Sequence, residues 1–210
     1  MSHDPILKRI ADRYMLHGLP VHDIGLMEGK TGMSLFFFLY ARQTGNGWYE
    51  AYAGELLDEV FNRLSNRIPV TFADGLCGVG WSIEFLKAQG FVEGDTDEIL
   101  SDADCKTMER DPRRMNDFTL ESGLEGIAAY VRSRLDSPRP ADNTRPFDPD
   151  YLSDLSQASE RGGIDWRTER YAPESVWANL THRFSSYPPT SWQWGLYFMK
   201  HHIKQSQDHE

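Results

Sequence analysis

Gly29-Lys30-Thr31-Gly32 is followed by MSLFFFLYAR (33–42), Gly75-Leu76-Cys77-Gly78 by VGWSIEFLKAQ (79–89), and Gly123-Leu124-Glu125-Gly126 by IAAYVRSRL (127–135). The first glycines of these pairs stand 46 and then 48 residues apart. A single GxxG carries little information, but three in phase, each with the same sequel, mark an internal repeat. Glycine at a helix entrance lets neighbouring backbone approach closely and allows positive φ without steric cost. Each segment behind a pair is apolar nearly all round, with Met33, Leu35, Phe36, Phe37, Phe38 and Leu39 in the first. A helix of that kind has no solvent face and belongs to an inner layer.

The next segment of each repeat is amphipathic. Trp48, Tyr49, Tyr52, Leu56, Leu57, Val60, Phe61 and Leu64 form a stripe, while Glu50, Glu55, Asp58, Glu59 and Arg63 face outward. In the second repeat Asp95-Thr96-Asp97-Glu98 supplies a cap and first-turn acids for a helix through about Met108. An inner apolar helix followed by an outer amphipathic one, repeated about every 47 residues, describes stacked αα-hairpins. The fold class is therefore all-α, a single helical domain over 1–210. Three hairpin repeats occupy 23–136, a loop-rich segment 137–171, and terminal helices 172–205.

Outside the repeats, Asp4-Pro5 opens a helix whose apolar face is Ile6, Leu7, Ile10, Ala11, Tyr14 and Met15. That start has no basic flank followed by an apolar run, so it does not read as a secretory signal. The longest apolar run, Met33 to Tyr40, falls well short of the ~20 residues that span a bilayer. Cytoplasmic residence is the expectation. Four prolines between Ser137 and Asp150 read as a surface loop, and 151–171 as partly irregular. Two more helices follow, Pro173 to Phe184 and Ser191 to Gln205, separated at Pro188-Pro189.

The chain of 210 residues carries 22 Lys+Arg against 32 Asp+Glu, a net charge of −10. That balance argues against nucleic acid or an anionic membrane as partner, since both need a basic footprint. Two cysteines make neither a disulfide scaffold nor a cysteine-only zinc site.

GLMEGKTGMSLFFFLYARQTG (25–45), LLDEV (56–60), FADGLCGVGWSIEFLKAQGFVEGDTDEIL (72–100) and DFTLESGLEGIAAYVRSRL (117–135) together resemble the lanthionine synthetase C-like (LanC-like) proteins. The resemblance covers residues 23–136 and is most specific from Phe72 to Leu100. It implies an α/α toroid, an inner ring of helices whose GxxG entrances line one mouth, wrapped by an outer ring. This chain would supply a partial toroid, a half barrel, because a complete ring takes about twice as many helices. The family acts on ribosomally made peptides. Its catalytic members hold zinc with two cysteines and a histidine, one Cys directly followed by that His, and close thioether rings. This chain has no Cys-His pair, and neither Cys77 nor Cys105 matches a family ligand position. No metal or other cofactor is expected.

Zinc would need convergent N or S ligands, and the candidates are Cys77, Cys105, His182, His201 and His202. The last two are adjacent on a helix and point about 100° apart, which keeps them from sharing a metal. The cysteines read as small buried hydrophobes. His17 and His22 flank a short loop and read as solvated. Glu28, Asp74 and Ser122 directly precede the glycine pairs. In the family one such position carries an acid/base histidine. Here the three either cap the inner helices or, for Glu28 and Asp74, face the mouth as paired carboxylates for general acid/base work. The aromatic set Trp48, Tyr49, Trp81, Trp177, Trp192, Trp194 and Tyr197 either lines a peptide or sugar groove, with Trp81, Trp192 and Trp194 foremost, or belongs to the core.

Three functions follow. One is a non-catalytic LanC-like accessory protein of peptide maturation that binds a peptide or a partner enzyme. The second is a carbohydrate-active hydrolase or epimerase on the same scaffold, with Glu28, Asp74 or Glu84 as acid and base, by fold analogy. The third is a structural or oligomerisation unit. A repeat array that stops early exposes two apolar edges. Either the terminal helices (4–17 and 191–205) cover them or two chains pair as a homodimer.

Overall fold

In the computed structural model a helix starts at each glycine pair: α2 (Lys30–Thr44), α4 (Leu76–Ala88) and α7 (Leu124–Asp136) have Gly29, Gly75 and Gly123 as N-caps. The structure describes residues 4–16, 21–65, 67–139 and 145–203, with the side chains of 202 and 203 excepted. Among the described residues it contains ten α-helices and no strand. The others are α1 (Pro5–Leu16), α3 (Gly47–Phe61), α5 (Thr96–Ile99), α6 (Ser101–Met108), α8 (Pro149–Arg161), α9 (Pro173–Arg183) and α10 (Trp192–Phe198), the last running into a π-turn, Met199–Ile203. By its contacts the chain divides into two compact units, residues 1–63 with 177–210, and residues 64–176.

In the first unit α2 and α3 form the first hairpin. Ten of the fifteen α2 residues are buried, among them Leu35, Phe36, Phe37 and Phe38, as its all-round apolar sequence requires. The pair is sealed by Phe37 edge-on to Tyr52, by Tyr40 against Tyr49, and by the Ser34 hydroxyl, which donates to the Ala53 carbonyl at 2.9 Å. Gly45 ends α2 in the left-handed region, φ 68°, where its N–H returns to Ala41. Trp48 departs from the expected stripe. It lies 78% exposed at the start of α3, just past the turn that ends α2. α1 opens as its sequence indicates, with the Asp4 carboxylate accepting the Ile6 N–H. It packs on α10, which in turn packs on α2.

The second unit carries the other two hairpins. α4 is buried along its whole run from Leu76 to Leu86 and packs on α7 and α6. The single outer helix expected from Asp95 to Met108 is broken at Leu100 into α5 and α6, although Asp95 caps as anticipated. The outer partner of α7 is α8, which lies inside the segment expected to be loop and irregular chain. Asp148-Pro149 supplies its start, and Tyr151, Leu155 and Ala158 recur at helical spacing and are buried. Apart from Pro149 and Leu152 its remaining residues are polar, so the short apolar stripe is easily overlooked in sequence.

Candidate functional site

The three inner-helix entrances share one backbone construction. The first helical N–H bonds the carbonyl seven residues earlier: Lys30 to Asp23, Leu76 to Pro69, and Leu124 to Asp117, each at 2.9 Å. The preceding loop thus folds back over the helix start and satisfies donors that otherwise need a capping side chain. No side chain caps any of the three. Glu28, Asp74 and Ser122 are therefore not the N-caps the sequence offered; each sits one residue earlier, and each is exposed. The glycines serve close approach and not positive φ, since all three are extended, with φ between −105° and −123°. A Cβ would lie 2.4 Å from Gly25 N at Gly29, 2.1 Å from Pro69 O at Gly75, and 2.5 Å from Asp117 O at Gly123. The second glycines face their own loop in the same way, Gly32 toward Leu26 O and Gly126 toward Leu120 O.

The exposed residues differ in their partners. Glu28 accepts a hydrogen bond from the Tyr187 hydroxyl at 2.8 Å, in the first unit. Burial and that carboxylate push the Tyr187 phenol up to about 12. In the second unit Asp74 accepts from the Thr71 hydroxyl, and the Ser122 hydroxyl donates to Asp117 at 2.6 Å. That bond, with the Thr119 N–H and hydroxyl, holds the Asp117 carboxyl below its ordinary range. The two entrances of this unit are joined: the N–H groups of Phe72 and Ala73 both donate to the Glu121 carbonyl, at 3.0 and 2.9 Å.

Glu84 lies elsewhere. It is nine residues past the cap of α4, about 13 Å along the axis, and is 5% exposed. Its Oε1 pairs with Arg134 Nη1 at 2.6 Å and its Oε2 accepts from Ser137 at 2.7 Å. Arg134, wholly buried, also pairs with Asp104 at 2.7 Å and Asp97 at 2.8 Å, and Arg139 adds a bond to Asp97. Burial works against the Arg134 charge, but the bond and charge of Asp104 hold its pKa up. Burial lifts the Asp104 carboxyl despite Arg134 and the Tyr130 hydroxyl. At Asp97 burial is outweighed by the Arg139 and Arg134 bonds, and its carboxyl falls. This network is not legible in the sequence, where the three acids lie 30 to 50 residues from Arg134. A cleft of about 650 Å³ borders it, between α4, α7 and residues 169–174. Its charged wall is largely committed, with Arg132 paired to Asp136 at 2.6 Å.

The aromatic candidates divide. Trp81 and Trp192 are core residues, 0% and 2% exposed, with no face toward a groove, because α4 is buried all round and Trp192 fills the space beside Gly32. Trp194 is half-buried and stacks on Phe198 at 5.0 Å. The metal candidates do not converge. Cys77 is buried against the Thr107 hydroxyl at 3.8 Å, whereas Cys105 is exposed on α6. Burial pushes the Cys77 thiol up to about 12, although zinc takes a thiolate. His182 is exposed, with its ring 6.5 Å from that of His201. His22 is exposed, and its carbonyl accepts from Arg63. His17 and the side chain of His202 lie outside the described residues. Among the described residues no group of three His, Cys, Asp or Glu side chains is placed to hold a metal ion. The described donors do not fit the zinc centre of the thioether-forming enzymes. No described helix is long and apolar enough to cross a membrane.

Helical hairpins in series, each inner helix entered through a backbone-capped glycine pair, define an all-α chain consistent with the α/α toroid type. The chain belongs to the lanthionine synthetase C-like protein family, whose model matches residues 20–193. The match extends past the third repeat through α8 and α9, which the glycine pairs alone leave unassigned. No curated protein and no solved structure matches significantly.

Proposed function

We propose that the chain is an accessory protein of ribosomal peptide maturation, resident in the cytoplasm, that engages a peptide or a partner maturation enzyme at its inner-helix entrances without closing thioether rings itself. The observation that supports this most is the backbone capping of the entrances. Because main-chain bonds satisfy the helix starts, Glu28, Asp74 and Ser122 are not needed as caps and stand exposed. Exposed polar side chains that a repeated loop position does not need as helix caps are available for recognition. The donor set supports the second half, since a buried Cys77 and an exposed Cys105 do not make a zinc centre.

The test is calorimetric titration of the native chain with peptides encoded beside its gene. Saturable binding that weakens in E28Q of the first unit, or in D74N and S122A of the second, is expected. Absence of binding to the native chain defeats the reading. Zinc-dependent loss of free thiol from a dehydrated peptide would defeat its non-cyclase half.

A further inference from the structure

Within its unit α10 stands to α2 as α4 stands to α7 in the other unit, and three separate contacts say so. The first concerns the residue two before the capping glycine. Glu121 O accepts from the Phe72 and Ala73 N–H groups, and Met27 O accepts from Gln193 Nε2 at 3.1 Å. The second concerns the second glycine of the pair. Gly126 lies against Phe72, and Gly32 lies against Trp192, each too close to admit a Cβ. The third concerns the residue seven past the capping glycine. Tyr130 covers Gly80 of α4, and Phe36 covers Gly195 of α10, at 2.4 and 2.6 Å from a Cβ built there. Sequence similarity does not announce this, because α10 has no GxxG. Ser191 caps it through its side chain, accepting the Trp194 N–H.

One difference is informative. Where the second repeat donates two backbone N–H groups to its neighbour's loop, the α10 segment donates one buried side-chain amide, Gln193, 5% exposed. Tyr187, just ahead of α10, then bonds the next residue of that loop, Glu28. Met27 and Glu28 are thus held from one short segment, one through its carbonyl and the other through its carboxylate. An ionised carboxylate accepts and cannot donate, so it recognises groups rich in N–H, cations above all.

We infer that residues 184–198 act as the neighbouring repeat of α2, and that Gln193 and Tyr187 are positioning residues that set Glu28 to receive a Lys or Arg side chain of a bound peptide. The ligand half of this rests on the peptide reading proposed above; the repeat-like role of α10 does not.

The experiment uses the full chain and a fluorescein-labelled hexapeptide with two Lys residues, beside the same peptide with norleucine in their place. The native chain should bind the Lys peptide about tenfold more tightly, the order of one charge-assisted hydrogen bond. E28Q should erase the preference. Y187F should weaken the Lys peptide severalfold, yet cost nothing further in the E28Q background, because it acts through Glu28. Q193L should speed exchange of the Lys30 and Thr31 amides about tenfold while urea unfolding shifts little. Additive losses in the Y187F and E28Q double variant overturn the positioning role. Equal affinity for the two peptides overturns the cation preference. Absence of binding by either peptide defeats the peptide reading and the positioning role with it. Unchanged amide exchange in Q193L overturns the repeat-like role of α10 alone.

Discussion

Arg134 Nη1 lies 2.6 Å from Glu84 Oε1, the first side chain wholly buried and the second 4% exposed. The same guanidinium holds Asp104 and Asp97, so it ties α7 at once to α4, α5 and α6. Removing a single partner from such a cluster leaves uncompensated buried charge. R134M should therefore destabilise the chain by about 3–5 kcal/mol in urea unfolding. R134K should recover only part, because an ammonium cannot reproduce the forked geometry. An R134M chain as stable as the parent would show that the carboxylates are solvated and not buried together.

The capping glycines and an unconstrained glycine should respond oppositely to alanine. A Cβ on Gly75 would sit 2.1 Å from the Pro69 carbonyl, a backbone atom that cannot swing aside. G75A should cost about 2–3 kcal/mol, in the range of overpacked sites. At Gly54, inside α3, a Cβ would meet nothing within 4 Å. G54A should stabilise by about 0.5–1 kcal/mol through helix propensity alone. Denaturation midpoints of the two variants check the contrast, and equal shifts would refute the close-approach role of Gly75.

The inner helices are legible in the sequence because their signal is local. A glycine pair followed by an apolar run is read within a dozen residues, and Phe36, Phe37 and Phe38 leave no polar face. What escapes such a reading is long-range or carried by the main chain. The bonds from Lys30 to Asp23, Leu76 to Pro69 and Leu124 to Asp117 involve no side-chain type, so Glu28, Asp74 and Ser122 look like caps. Arg134 recruits acids from three separate segments, and nothing in SRLD marks it as buried. α8 is hidden because three buried apolar positions in thirteen, with three prolines upstream and a fourth at its first position, weigh less than the punctuation around them. Trp192 resembles a groove aromatic in sequence because its burial depends on Gly32, 160 residues away.

The third entrance should show a carboxyl with a distinctive titration. Asp117 is exposed, and its pKa is lowered first by the Ser122 hydroxyl and then by the Thr119 N–H and hydroxyl. A lowered native pKa favours the fold above the unfolded value near 3.9, and that advantage is lost as pH falls through the native value. S122A should move the Asp117 carboxyl carbon titration in NMR upward, toward the ordinary aspartate value. D117N should make stability less sensitive to pH below about 4. An unshifted Asp117 curve in S122A would mean that the bond is not kept in solution.

The two thiols should differ sharply toward an alkylating reagent. Cys77 is buried beneath the second glycine pair, and desolvation pushes its thiol up to about 12, against the modest pull of the Thr107 hydroxyl. The thiolate is the reactive form, so at pH 8 Cys77 is protected both by access and by protonation. Cys105 is exposed on α6. Iodoacetamide should therefore label Cys105 quickly in the native chain and reach Cys77 only as fast as the chain unfolds. Peptide mapping by mass spectrometry assigns each site. The outcome bears on metal chemistry as well, since a Cys77 that alkylates readily at pH 8 would be a thiolate fit to hold zinc, against the assignment of that residue to the core.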